Sequence, residues 1–435
     1  MKAVILAAGK GKRLRPITST RPKPMIPLAG KPLLEHTLIS LKNAGIDQIL
    51  FIVGYLEHEI KKYFGNGSSF GVKIEYITQE KDLGTAHATG LAREFIADSG
   101  PFLMMYGDLL VEDRAYKEII EHFRKNKASG LISLIEVPNP REFGIISLNS
   151  GGLVEKIVEK PSEDLNLGNL ANAGVYILDP LIFKAIEMTQ KSIRGEYELT
   201  DSLEILINKF NKTIIGYSIS HCFWSDIGLH WQLLEANGHL LDAIEGDLLG
   251  RIEENVYISG EVFIGSDTVI KSGSTIQGPC YIGKDNLIGP NAFIRPYSFI
   301  ENNCRIGMSE IKNSIVLSNT AIPHFNYIGD SIICEKVNLG AGSKISNLRL
   351  DDKSIKVYIN GKSIDSKRRK LGAIVGPRVK TGINACIMCG KIIGEDSWIG
   401  AHTLVNEDVE PNTIYYLDPN NGIIKKNRKK DENCK

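Results

Sequence analysis

Two rhythms of apolar and polar positions divide the chain. Up to about residue 232, short apolar runs alternate with amphipathic stretches. Residues 3–8 are a continuous apolar run, and a glycine-rich turn follows. Leu33–Asn43 has helical spacing, residues 49–53 are apolar again, Glu57–Phe64 is amphipathic, and Phe102–Tyr106 runs into Gly107-Asp108. This alternation predicts a Rossmann-like α/β domain. Its sheet is mostly parallel with helices on both faces, and ligands gather at the carboxyl ends of the strands. Residues 233–249 read as one helix, with a glycine in it, joining the halves.

From about residue 251 the period becomes six. Ile258, Ile264, Ile270, Ile276, Ile282, Ile288, Ile294, Ile300 and Ile306 keep it without a break. The register slips by three and resumes as Ile315, Ala321, Tyr327, Ile333, Leu339 and Ile345. After an interruption it returns as Val375, Thr381, Ile387, Ile393, Ile399 and Val405. Neither a helix nor a plain strand has this period. A hexapeptide repeat of such length predicts a parallel β-helix with an aliphatic ladder inside. The interruption, residues 348–371, is basic, includes Lys367-Arg368-Arg369-Lys370, and should leave the coil as a loop. The expected domains are residues 1–232, a helical linker 233–250, the coil 251–412 and a tail 413–435, charged and frayed over residues 425–435.

Composition adds exclusions. The 435-residue chain carries 52 Lys+Arg against 51 Asp+Glu, so it has no basic excess with which to bind nucleic acid. The N-terminal apolar run is too short for a signal peptide or a membrane span. Seven scattered cysteines, an odd number, suit reduced thiols in a cytoplasmic protein rather than a disulfide framework. Cys386-Ile-Met-Cys389 lacks a second pair, and two thiolates do not complete a tetrahedral metal site.

Candidate chemistry concentrates first in Leu6-Ala7-Ala8-Gly9-Lys10-Gly11-Lys12-Arg13-Leu14-Arg15-Pro16, followed by Arg21-Pro22-Lys23-Pro24. A strand enters a turn whose glycines let backbone N–H groups approach phosphates, and Arg13 and Lys23 add positive charge. No Gly-Lys-Ser/Thr follows, so this is no P-loop, and Leu14 stands where a dinucleotide fingerprint has its third glycine. The stretch resembles the signature of the sugar-1-phosphate nucleotidylyltransferases. Further segments agree in family order: Gln79-Glu80, Leu83-Gly84-Thr85-Ala86, Gly107-Asp108, Gly144, Glu159-Lys160-Pro161, Asn172-Ala173-Gly174 and Trp224-Ser225-Asp226-Ile227-Gly228. The resemblance implies nucleotide contacts at Leu6, Ala8, Gly9, Gly11, Gln79, Gly84 and Thr85. It implies sugar-phosphate contacts at Gly144, Glu159, Lys160 and Asn172, and Mg²⁺ held by Asp108 and Asp226, which are hard oxygen ligands. Arg13 and Lys23 would be catalytic, neutralising charge that develops on the leaving pyrophosphate. Gly-Thr-x-His-Ala at residues 84–88 is closer to the uridylyl branch than to the thymidylyl one, and UTP and dTTP both stay open. Leu229-His230 departs from the family pattern of a small or basic residue and then proline.

In the coil, polar residues cluster around the register slip. Arg295, Lys312, His324, Tyr327, Asn338 and Asn347 resemble the acetyltransferase half of a bifunctional family. That family joins glucosamine-1-phosphate N-acetyltransferase and N-acetylglucosamine-1-phosphate uridylyltransferase activities, and the basic insertion resembles its archaeal branch. The resemblance implies a left-handed coil, His324 as catalytic base, and amino-sugar-phosphate contacts at Arg295, Lys312, Tyr327 and Asn338. Acetyl-CoA contacts fall at Asn347 and Ala401, while Leu348 replaces a tyrosine contact. Acetyl transfer from a thioester needs a neutral amine, and a histidine, titrating near ~6.5, can take its proton. The implied substrates are UTP or dTTP, sugar-1-phosphates and acetyl-CoA, and the implied assembly is a trimer or a multiple of three. Two alternatives stay open. One is a glucose- or mannose-1-phosphate nucleotidylyltransferase whose coil is only a scaffold. The other is a catalytically dead regulatory subunit. Intact His324 and Lys312 argue against the first, and intact Arg13, Lys23, Asp108 and Asp226 against the second.

Overall fold

The central strand Ala3–Ala7 serves two cores. In the computed structural model, which describes residues 1–97, 99–159 and 168–428, Ala3, Ile5 and Ala7 pack into one core and Val4 into another. A strand covered on both faces has no solvent side, so its run is apolar throughout. Its sheet reads, in spatial order, Val154–Glu159, Gly144–Leu148, Leu170–Leu178, Phe102–Tyr106, Ala3–Ala7, Gln48–Val53 and Lys73–Thr78. Gly130–Glu136 and Ile214–Ser218 join through Leu170–Leu178. The four strands from Phe102–Tyr106 to Lys73–Thr78 are parallel, and Leu170–Leu178 runs antiparallel to them. Leu33–Asn43 and Asp113–Lys125 cover one face, burying Leu34, Leu38 and Ile119. Thr85–Gly90 and Leu199–Asn208 cover the other, burying Ala88, Leu203 and Leu206.

The chain divides into two compact units, and the division is not the one expected. The first unit holds Met1–Lys10, Arg21–Met25 and Pro32–Asp226; the second holds Gly11–Thr20, Ile26–Lys31 and the chain from Ile227 on. Part of the N-terminal signature therefore folds with the second unit.

That second unit is dominated by the β-helix. Ile264 to Ile306 of the six-residue series are fully buried, and Ile258, near the first turn, is partly buried. Ile264 stacks on Ile282, Ile270 on Ile288 and Ile276 on Ile294, so one turn takes eighteen residues. Asp267, Asp285 and Asn303 recur at that interval with positive φ, as residue types that tolerate left-handed backbone.

Four expectations need correction. After Ile306 the aliphatic ladder inside the coil runs through Ile311, Val316, Ile322, Ile328, Ile333, Leu339 and Ile345. The register is lost in single-residue steps rather than one shift of three, and Ala321 and Tyr327 sit one position off the ladder. Ile300 stacks on Val316 and Ile306 on Ile322, so these turns have sixteen residues. The connecting helix is His230–Asp242, and Asp247–Leu248 already pairs with Phe263 and Ile264 as coil. The supposed tail contributes Thr413–Asp418, parallel to Trp398–Ile399, and Gly422–Asn427, which pairs back antiparallel. The basic insertion is a hairpin, Lys356–Ile359 with Lys362–Asp365, closed at its base by a bridge between Leu348 and Lys370. Among the described residues no helix is long and apolar enough to cross a membrane.

Candidate active sites

In the first unit the implicated residues meet at the carboxyl ends of the parallel strands. Leu6 lies in Ala3–Ala7, and the Ala8 carbonyl accepts a hydrogen bond from the Tyr55 backbone N–H (3.2 Å). A cavity of about 320 Å³ opens there, with Ala8, Lys10, Tyr55, Gln79 and Glu80 in its wall. A Cβ added to Gly9 would meet nothing within 4 Å, so the backbone is open to a ligand at that point. Gly84 has a different reason. Its φ is +104°, and a Cβ would lie 2.5 Å from the Tyr197 carbonyl oxygen, so the close approach there is by the chain itself. The Gln79 amide lies 3.2 Å from His87 Nδ1. Thr85 Oγ1 accepts from the Leu199 N–H (3.0 Å).

The two aspartates are brought together by a short ribbon. Leu109–Val111 follows Asp108 and pairs antiparallel with Trp224–Asp226, setting Asp226 opposite Leu109. Lys23 is buried, with Nζ 2.6 Å from Asp108 Oδ2 and 3.8 Å from Asp226 Oδ1. An ammonium already occupies the ground between two carboxylates, so the residues fit a bound cation.

Among the residues expected to hold the sugar phosphate, Gly144 and Glu159 are register partners, and a Cβ on Gly144 would lie 2.8 Å from Glu159 Oε2. Asn172 donates to the Tyr176 hydroxyl (2.6 Å) and accepts from the Gly174 N–H (3.0 Å). Burial pushes the Tyr176 phenol up to about 12 and the Tyr106 phenol well above its usual value, so both remain neutral donors. Lys160 lies outside the described residues. Arg194, which sequence reasoning missed, reaches Glu159 (3.4 Å) and Glu198 (2.9 Å). Nothing in its local pattern marks it, because Glu159 is 35 residues away.

Gly11 and Arg13 belong to the second unit. Gly11 has φ 58° and caps the single turn Lys12–Leu14. The Thr18 hydroxyl donates to the Gly11 carbonyl (2.9 Å), and Arg13 lies against Gly228.

Further along that unit, the shortened turns gather the second cluster. Asp330 is 2% exposed and accepts four hydrogen bonds. They come from Lys312 Nζ (3.0 and 3.3 Å), Asn313 (2.7 Å) and Asn347 (2.6 Å). The same Asn347 amide donates to the Tyr327 hydroxyl (3.2 Å). Asn347 therefore stands with the residues assigned to the amino-sugar phosphate rather than beside Ala401. Burial, then the Glu310 charge, raises the Tyr327 phenol pKa. Arg295 pairs with Glu310 at 2.7 Å. Each of these cations is thus held by a carboxylate. His324 is exposed on Ala321–Gly329, and its carbonyl accepts from the Gly342 N–H (2.9 Å). Asn338 is exposed and bridges Ala321. Backbone bonds from Asn384 to Ala341 and from His402 to Ile383 carry the stack onward, placing Ala401 three turns beyond His324. Asp330, which sequence reasoning missed, is a buried carboxylate directly after the strand Ala321–Gly329.

A family model described as nucleotidyl transferase matches residues 2–243, and one described as the GMPPB C-terminal domain matches residues 276–412. The Methanococcus maripaludis (strain S2) protein named bifunctional protein GlmU is 44% identical over 427 residues, 98% of this chain and 100% of that one. The bifunctional sugar-1-phosphate nucleotidylyltransferase/acetyltransferase of Sulfurisphaera tokodaii is 41% identical over 413 residues, 94% of this chain and 98% of that one. Among solved structures, UDP-glucose pyrophosphorylase complexed with UDP-glucose is similar with a TM-score of 0.50 and 25% identity, covering 56% of this chain and 99% of that chain.

Proposed function

This chain belongs to the nucleotidyl transferase family and to the bifunctional group of its archaeal relatives, and we propose that it makes UDP-N-acetylglucosamine in two steps. The coil moves an acetyl group from acetyl-CoA to the amine of glucosamine-1-phosphate and releases CoA. The N-terminal signature residues then direct uridylyl transfer from UTP to N-acetylglucosamine-1-phosphate, releasing pyrophosphate.

The observation that carries the two-step reading is the buried Asp330 with Lys312, Tyr327 and Asn347 around it, on the strand that bears His324. A scaffold has no use for a desolvated charge network, which is costly unless every member is satisfied. His324 takes the amine proton as nitrogen attacks the thioester carbonyl and the CoA thiolate leaves. Lys312 and Arg295 exchange Asp330 and Glu310 for the sugar phosphate, Tyr327, Asn338 and Asn347 orient the sugar, and Ala401 marks the acetyl-CoA side.

In nucleotidyl transfer the sugar-phosphate oxygen attacks the α-phosphorus in line with the departing pyrophosphate. Such transfers are accelerated mainly by alignment and charge neutralisation. Gly9 and Gly11 offer backbone to the phosphates, Arg13 and Lys23 neutralise the leaving group, and Gln79, Gly84 and Thr85 hold the base. Gly144, Glu159, Lys160 and Asn172 hold the sugar phosphate. Asp108 and Asp226 would hold Mg²⁺, which supplies further charge neutralisation at the phosphates. The hexapeptide coil supports a trimer or multiple of three, and the scattered thiols support a cytoplasmic location. The test is CoA release on mixing the protein with acetyl-CoA and glucosamine-1-phosphate. Its absence would leave only nucleotidyl transfer.

A further inference from the structure

Arg13 is seated by the stretch that follows Asp226. A Cβ built on Gly228 would lie 2.9 Å from Arg13 Nη2, 3.0 Å from Cζ and 3.1 Å from Nη1. Gly228 is not among the residues of positive φ, so alanine there meets no positive-φ strain, and the three atoms nearest its Cβ all belong to the guanidinium. Two residues on, His230 is fully buried, and its Nε2–H donates to the Arg15 carbonyl (2.9 Å). Burial pushes the ring down to about 4, so it is neutral near pH 7. Its Nδ1 has no hydrogen-bond partner among the described residues, so the ring is tied to the Leu14–Arg15 backbone through its other nitrogen. At the far end of the same loop the Thr20 hydroxyl donates to Glu335 (2.6 Å). His230 stands where the family pattern has proline, which has no side-chain donor.

We propose that Gly228 and His230 are positioning residues for nucleotidyl transfer. Gly228 leaves the space that the Arg13 guanidinium fills, and His230 fixes the backbone two residues beyond it. The inference rests on the reading of Arg13 as the group that neutralises the departing pyrophosphate.

The experiment follows pyrophosphate release, CoA release and melting temperature for the full-length protein and for Arg13→Ala, Gly228→Ala, their double variant, His230→Ala and His230→Gln. Displacing a catalytic group by about 1 Å can cost 10²-fold. Gly228→Ala should therefore lower kcat for pyrophosphate release by about 10²-fold, with KM for UTP, CoA release and melting temperature unchanged. The double variant should be no slower than Arg13→Ala. His230→Gln, whose amide can still donate to Arg15, should keep more kcat than His230→Ala. Wild-type kcat in Gly228→Ala, or losses that multiply in the double variant, would overturn the proposal. If Arg13→Ala itself left pyrophosphate release unchanged, the role of Arg13 would fall, and the proposal with it. That result is distinct from failure of the Gly228 variant alone.

Discussion

The ammonium of Lys23 lies 2.6 Å from Asp108 and is buried there, with Asp226 at 3.8 Å on its other side. Three charges in so small a space form one electrostatic unit. Asp108→Asn removes a charge from it and a ligand from the proposed cation site. Pyrophosphate release should fall by about 10²–10³-fold, in line with the loss of one transition-state charge contact. CoA release should stay at the wild-type rate. Chelation with EDTA should reproduce the same split in the unmodified protein, since no residue of the acetyl-transfer cluster is placed at a metal. Parallel assays of both products check the two expectations.

The Asp330–Lys312 pair bears on stability as well as on binding. Lys312 keeps 20% side-chain exposure and Asp330 only 3%. Removing one partner of a buried pair leaves the other uncompensated and typically costs about 3–5 kcal/mol. Asp330→Ala should lower the unfolding free energy at the lower end of that range, about 3 kcal/mol, because Lys312 retains some water. Asp330→Asn should cost less, since its oxygen can still accept from Asn313 or Asn347. Urea unfolding monitored by circular dichroism measures both.

His230 predicts a pH dependence of stability. Its folded pKa is pushed from 6.5 down to about 4 by burial. Between those values the unfolded chain holds a proton that the folded chain does not. The stabilisation is therefore complete above pH 6.5 and is lost as pH falls toward 4, by roughly 3 kcal/mol. His230→Gln cannot titrate and should show a shallower fall. Melting temperatures of both proteins at pH 7.5 and 4.5 test this, the difference between them isolating the histidine from the carboxylates that titrate in the same range.

Much of this architecture was legible in the residues. Ile264 to Ile306 declared the coil because an unbroken ladder needs one aliphatic residue per face. The slip region was misread because Ile315-Val316 and Ile332-Ile333 are adjacent apolar pairs, all buried, and spacing cannot tell which member faces the axis. The insertion hairpin does carry a signal in its sequence. Asn360-Gly361 both take positive φ, as a two-residue hairpin turn requires. The site motifs were read in order, but their partners were not. Glu310 and Asp330 pair with Arg295 and Lys312 across turns 15 to 18 residues apart, and Glu335 meets Thr20 across 315 residues. Spacing along the chain carries no information about such contacts. For the same reason the folding of Gly11–Thr20 with the second unit was invisible.

The central claim is that one chain carries two separable reactions, and His324→Ala tests it most directly. CoA release from acetyl-CoA and glucosamine-1-phosphate should fall by at least about 10²-fold, the usual contribution of a general base. Pyrophosphate release from UTP and N-acetylglucosamine-1-phosphate should remain at the wild-type rate. Unchanged CoA release, or an equal loss of both products, would contradict the account.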